Sequence, residues 1–164
     1  MHPTNENIKG KIGVLTVSDT RTKETDKSGK IIRDLMEEAG HEVVAYDIVE
    51  DDLKELQSLL KKWLDRDSLH AIILSGGTGF SPRDVTYEAV SGLLEKEMEG
   101  FGELFRMLSY DEIGAKAMFS RAVGGSANEK AVFALPGSSN AVRLGVNELI
   151  IPILPHFIEE IQKK

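Results

Sequence analysis

The chain has 164 residues, enough for one domain with a sizeable core. Apolar residues make up 41% and charged residues 29%, the mix of a soluble globular protein. The absence of cysteine excludes disulfides and thiolate metal centres, and a net charge of −7 argues against nonspecific nucleic-acid binding, which needs a basic face.

The N-terminal MHPTNENIKG is polar and lacks the apolar stretch of a signal peptide, so residues 1–10 read as a flexible segment and 11–164 as a single domain. KIGVLTVS (11–18) is a buried strand, apolar and β-branched. SGKIIRDLMEEAG (28–40) places Ile31, Ile32, Leu35 and Met36 at helical spacing, with Ser28 as N-cap and Gly40 at the C-terminal end. EVVAYDIV (42–49) is a second strand, and LKELQSLLKKWLDR (53–66) an amphipathic helix with a Leu/Trp stripe. HAIILS (70–75) is a third strand, followed by a helix over Thr86–Leu94. This β-α-β-α-β-α alternation predicts a mostly parallel sheet covered by helices.

The second half is less regular. EGFGELFRMLSY (99–110) is helical, with part of DEIGAKAM. FSRAVGG (119–125) and KAVFAL (130–135) form a hairpin turning through GGSANE, which makes one strand antiparallel. PGSSNAVRLGVNELI (136–150) turns into a helix that Pro152 interrupts, and PHFIEEIQKK (155–164) forms a short last helix. The apolar LIIPILPHFI is too short to span a membrane and carries two prolines, so no membrane partner and a cytoplasmic location are expected.

In open α/β sheets, ligands bind beyond the carboxyl ends of the strands. Four segments fall there: SDT (18–20), IVEDD (48–52), SGGTGFSPRD (75–84) and LPGSSN (135–140). The glycines of SGGTG permit positive φ and let a ligand touch the main chain, and the free N–H groups at a helix start suit an anion. The same glycines also serve close packing of a helix on a strand. The turn is neither a Walker A loop nor GxGxxG. Asp84 reads as a helix N-cap or, if Thr86 takes that place, as a carboxylate free to face the loop. Asp51 or Asp52 caps the helix that starts near Leu53. If Asp51 and Asp84 face one cleft, a cation relieves their repulsion, and oxygen ligands suit Mg²⁺. A phosphate, two carboxylates and Mg²⁺ together describe nucleotidyl or phosphoryl transfer.

Elsewhere the signals are bland. His2, His41, His70 and His156 show no metal-ligand spacing, and Ser18, Ser75, Ser138 and Ser139 lack a GxSxG context. Arg83, Arg106 and Arg121 read as solvated unless a phosphate recruits them.

Five ordered blocks, LTVSDTR, SGGTGFSPRDVT, EMEGFGELFRMLS, FSRAVGG and LPGSSNAVRLGVNELIIPILPH, run from about residue 11 to 160. They resemble the MogA/MoaB family of molybdenum cofactor biosynthesis proteins, its MoaB branch most, with gephyrin's G domain and plant Cnx proteins as relatives. The resemblance implies a three-layer α/β/α fold that binds molybdopterin. In active members the molybdopterin phosphate attacks the α-phosphorus of ATP with Mg²⁺ present, giving adenylylated molybdopterin and pyrophosphate. It implies Asp51 and Asp84 as catalytic carboxylates and Mg²⁺ ligands. Ser18, Asp19, Gly76, Gly77, Thr78, Gly79, Glu103, Ser120, Pro136, Gly137 and Ser138 would bind substrate. It further implies a homotrimer or homohexamer and handover to the molybdenum-insertion enzyme. A non-catalytic carrier or assembly protein of the same pathway is the alternative. Two positions depart from the family pattern: Glu50 and Tyr87 stand where proline is common.

Overall fold

The computed structural model describes residues 8–163, so seven of the ten residues in the expected N-terminal segment lie outside the described residues. The first half alternates as its periodicity predicts: β1 (Lys11–Val17), α1 (Lys27–Glu38), β2 (Glu42–Val49), α2 (Leu53–Leu64), β3 (Ala71–Ser75) and α3 (Thr86–Ser91). Then come β4 (Lys96–Glu97), α4 (Glu99–Ile113), a 3₁₀ segment (Gly114–Phe119), β5 (Val123–Ala127) and β6 (Lys130–Leu135). A helical run closes the chain: α5 (Ser139–Gly145), a π turn (Val146–Ile150) and α6 (Ile151–Gln162).

The strands form one sheet in the order β2-β1-β3-β6-β5-β4. β2, β1, β3 and β6 pair in parallel, and β5 pairs antiparallel with both β6 and β4. The fold is therefore the expected three-layer α/β/α, with β5 as the strand that runs against the rest.

Successive side chains of a strand point to opposite faces, so each central strand feeds two cores. Ile12, Val14, Ala71, Ile73 and Phe133 pack with residues of α1, α4 and the C-terminal run. Leu15, Val17, Ile72, Leu74 and Val132 pack with residues of α2 and α3. Trp63 packs closely on β1 because position 13 is glycine: a Cβ there would sit 2.9 Å from the indole ring.

Several expectations need correction. The N-cap of α1 is Asp26, whose carboxylate accepts from the Gly29 amide at 3.0 Å; Ser28 instead donates its hydroxyl to the Gly137 carbonyl. α3 stops at Ser91 because the chain must turn at Gly92 to reach β4, where the Glu95 and Met98 amides bond Ser126 and Gly124. β5 starts at Val123, since Phe119 ends the 3₁₀ segment and the Arg121 amide is diverted to the Thr78 carbonyl. The hairpin turns tightly at Asn128 and Glu129, both with positive φ (48° and 61°), as a two-residue primed turn requires.

Pro152 does not break the last helix. The helical run continues over Ser139–Gln162, 24 residues, long and apolar enough by length and composition to cross a membrane. The Ile151 amide bonds the Val146 carbonyl, five residues back, and this wide turn sits just where the proline ring would crowd the carbonyl of Glu148. Val142, Val146, Ile150, Leu154 and Ile158, spaced four apart, are buried against the sheet, so the run is a core helix.

Candidate functional site

The loops that follow β1, β2, β3 and β6 meet at one end of the sheet. The meeting is enforced by main chain: Ser18 N–H donates to Val49 O at 2.8 Å, and Gly76 N–H to Leu135 O at 2.9 Å. Gly76 has φ +98°, and a Cβ there would lie 2.3 Å from the Val17 carbonyl, so only glycine lets β3 exit this close to β1. Across the cleft, a Cβ on Gly137 would be 3.3 Å from Gly76 Cα, so the LPGSS turn rests on the SGGTG turn.

Two adjoining hollows result. An acidic cleft of about 370 Å³ is bounded by Ser18, Asp19, Thr20, Arg21, Asp51, Gly76, Gly77, Asp84 and Gly137. A more apolar hollow of about 320 Å³ is bounded by Thr78, Gly79, Phe105, Ile113, Lys116, Phe119, Ser120, Pro136 and Ser138. Gly77, Asp84 and Gly137 line both. The structure thus brings together every expected site residue except Glu103. That carboxylate lies elsewhere, in a separate hollow with Tyr87, Glu97, Glu99 and Arg106.

Each acid has its own environment. Asp52, not Asp51, caps α2, accepting from the Glu55 amide at 3.0 Å, which releases Asp51 to the cleft. The half-buried Asp51 carboxyl is held above the ordinary range, first by burial, then by the nearby charges of Asp19 and Asp84. Arg83 and the Asp19 backbone pull the other way without offsetting it. Asp19 shifts down, because its carboxylate accepts from the Asp51 amide at 3.0 Å and from Arg83 through bonds of 2.9 and 3.0 Å. One acid is therefore tied up by a cation, while its neighbour is left crowded.

Asp84 does not cap α3, and neither does Thr86. The position before that helix is Val85, without a side-chain bond. Asp84 accepts from the Ser81 amide at 2.9 Å, closing its own loop. The buried Thr86 hydroxyl donates to Gly76 O at 2.7 Å, pinning the glycine turn from inside. Ser138 does cap α5, accepting from Ala141 N–H at 3.2 Å, and its own hydroxyl hydrogen stays available to a ligand.

Three residues that support the site were not singled out for it from sequence. Arg21 reaches across to Gly137 O at 2.9 Å and to Ser28 Oγ at 3.1 Å, tying the first loop to the LPGSS turn. Its base is the buried Asp26, which also accepts from Thr16 Oγ1 and Tyr46 OH at 2.6 Å each. Arg121 clasps the glycine loop from outside. The Arg of SDTR and the Arg of FSR lie inside motif blocks, which is the one signal that marked them.

Comparisons with known proteins agree on the family and the fold. The family model described as "Probable molybdopterin binding domain" matches residues 13–156. The molybdenum cofactor biosynthesis protein B of Bacillus subtilis is 55% identical over 152 residues, covering 92% of this chain and 89% of that one. A crystal structure of a molybdenum cofactor biosynthesis protein B superposes with a TM-score of 0.93 at 49% identity, covering 96% of this chain and 99% of that one. The tungsten cofactor synthesizing protein MoaB of Pyrococcus furiosus gives 0.84 at 36% identity, covering 94% and 98%.

Proposed function

The chain belongs to the molybdopterin-binding-domain family of molybdenum cofactor biosynthesis, and from that footing we propose that it binds molybdopterin in the apolar hollow and adenylylates it with ATP held in the acidic cleft. The observation that carries this reading is the shared wall: Gly77, Asp84 and Gly137 belong to both hollows, so two ligands would meet there.

Mg²⁺ fits the donor set. The acids facing the cleft offer only oxygen, and Asp51 is crowded by like charge, which a cation relieves. Among the described residues no group of three or more His, Cys, Asp or Glu could hold a metal ion by itself. Mg²⁺ keeps several waters and takes one or two carboxylates plus substrate phosphates, so the proposed site asks two carboxylates of the protein. Asp51 and Asp84 would hold it, and when bound it supplies charge neutralisation of the phosphates.

The remaining chemistry is positioning. Gly77 places main chain in the wall of both hollows, where a phosphate can approach it, and Ser120, Thr78 and Ser138 supply polar edges beside the rings of Phe105 and Phe119. An oxygen of the molybdopterin phosphate attacks the α-phosphorus of ATP, the bond to the β-phosphate side breaks, and pyrophosphate leaves. Pyrophosphate release from Mg·ATP that depends on molybdopterin tests this directly. Asp51→Ala should remove it with the fold intact.

A homotrimer or homohexamer is part of the proposal. Leu104, Met107, Tyr110, Ile113 and Met118 on α4 and the 3₁₀ segment are 47–72% exposed, an apolar face of the kind that copies of a chain cover. The adenylylated product would pass to the molybdenum-insertion enzyme. A second reading, a carrier without chemistry, is favoured by Glu50, which adds a further carboxylate beside Asp51. It predicts tight molybdopterin binding with no pyrophosphate released.

A further inference from the structure

We infer that Arg121 is a positioning residue for the ligand site: its planar fork clasps the Gly79–Glu88 segment from outside and ties that loop to the segment that carries Ser120. The inference rests on the reading of the site given above.

The loop between β3 and α3 carries Gly77, Thr78, Gly79 and Asp84, which line the hollows. It is glycine-rich: Thr86 pins its start at Gly76 and Gly77, the Asp84 carboxylate closes on the Ser81 amide, and Arg83 ties the tip to Asp19. Arg121 is the residue that holds both flanks of that tip. Arg121 N–H donates to Thr78 O at 2.9 Å, Nε to Gly79 O at 3.0 Å and Nη2 to Asp84 O at 3.2 Å. The guanidinium also pairs with the Glu88 carboxylate on α3. Its carbon lies 5.3 Å from the ring centres of both Phe80 and Tyr87, so two aromatic faces flank the fork.

The two carbonyls fix the loop on either side of its Phe80–Arg83 tip, which sets where the Asp84 carboxylate faces the cleft. The neighbouring Ser120 lines the apolar hollow, and its carbonyl is met by Arg106 at 3.4 Å. Through Arg121 the loop is thus bonded to the segment that places Ser120 in the hollow. A lysine at position 121 would keep the charge and the Glu88 pair, but one ammonium cannot replace three donors in a plane.

The test compares Arg121→Lys, Arg121→Gln and Glu88→Gln with the unaltered protein. Hydrogen–deuterium exchange of residues 76–85 needs no ligand, and molybdopterin titration reads the site. Both Arg121 variants are expected to melt cooperatively, to exchange the loop amides roughly tenfold faster or more, and to bind molybdopterin about tenfold more weakly. Glu88→Gln, which leaves both carbonyl bonds in place, should stay near the unaltered protein in both assays. Arg121→Lys with unaltered exchange and affinity overturns the inference. So does a Glu88→Gln effect as large as that of Arg121→Lys, which would assign everything to the ion pair. If the unaltered protein fails to bind molybdopterin, the ligand reading falls, and the exchange data alone decide whether Arg121 holds the loop.

Discussion

Gly77→Ala against Gly40→Ala separates backbone strain from crowding at the site. Both glycines have positive φ, +70° and +94°. A methyl on Gly40 meets nothing within 4 Å, so its cost is conformational, about 1–2 kcal/mol. A methyl on Gly77 carries the same strain and also lies 2.4 Å from Thr86 Oγ1 and 3.1 Å from Asp51 Oδ1. The Thr86 hydroxyl must then leave Gly76 O, a buried bond of 2.7 Å. Losing that bond with a group left unpaired costs roughly a further 1–3 kcal/mol. Gly77→Ala should therefore destabilise by about 2–5 kcal/mol, and Gly40→Ala by clearly less. Urea unfolding midpoints with a shared slope give the difference. Molybdopterin titration should show Gly40→Ala unaltered and Gly77→Ala weakened. Equal destabilisation by the two variants would refute the claim that Thr86 and Gly77 are packed to each other's limits.

Three further outcomes follow from the charges. Asp51→Asn should remove about 10²–10³ of the turnover while the melting temperature stays level or rises, because a carboxyl crowded by burial, Asp19 and Asp84 opposes folding when ionised; calorimetry and pyrophosphate release check the two halves. Asp26→Ala strands Thr16, Tyr46 and the Gly29 amide around a fully buried site and should cost about 3–5 kcal/mol in urea unfolding. His41 and His70 accept from the Gly10 and Lys11 amides, and burial, chiefly, holds both imidazoles below 6.5. The unfolded chain then takes up protons first, so stability should be full above about pH 6.5 and fall as pH drops toward the folded values, a slope that His41→Gln should flatten.

The fold was legible where pattern and layer agree. Ile72 and Leu74 against Ala71 and Ile73 alternate between two cores, and the Leu56, Leu60, Leu64 spacing on α2 presents one buried face. β4 was invisible because two charged residues make no pattern, and it exists only through its pairing with Ser126 and Gly125. Pro152 misled because a π turn three-dimensionally displaces the carbonyl that local rules say it must strike. At the site, the motifs marked loops that the structure brings to one end of the sheet, yet local chemistry could not choose between Asp51 and Asp52, or between Asp84 and Thr86, as caps. Those choices were made by remote partners: Asp19 on the Asp51 amide, and the Gly76 carbonyl above Thr86. Arg121 looked solvated because its four partners come from residues 78–88, more than thirty positions away, a relation that no window of sequence contains.

Pyrophosphate release from Mg·ATP by the purified protein, with and without molybdopterin, is the most direct test of the proposed chemistry. Release that appears only with molybdopterin, and disappears in Asp51→Ala, is the predicted result. Tight molybdopterin binding with no release under the same conditions would contradict it and leave a carrier.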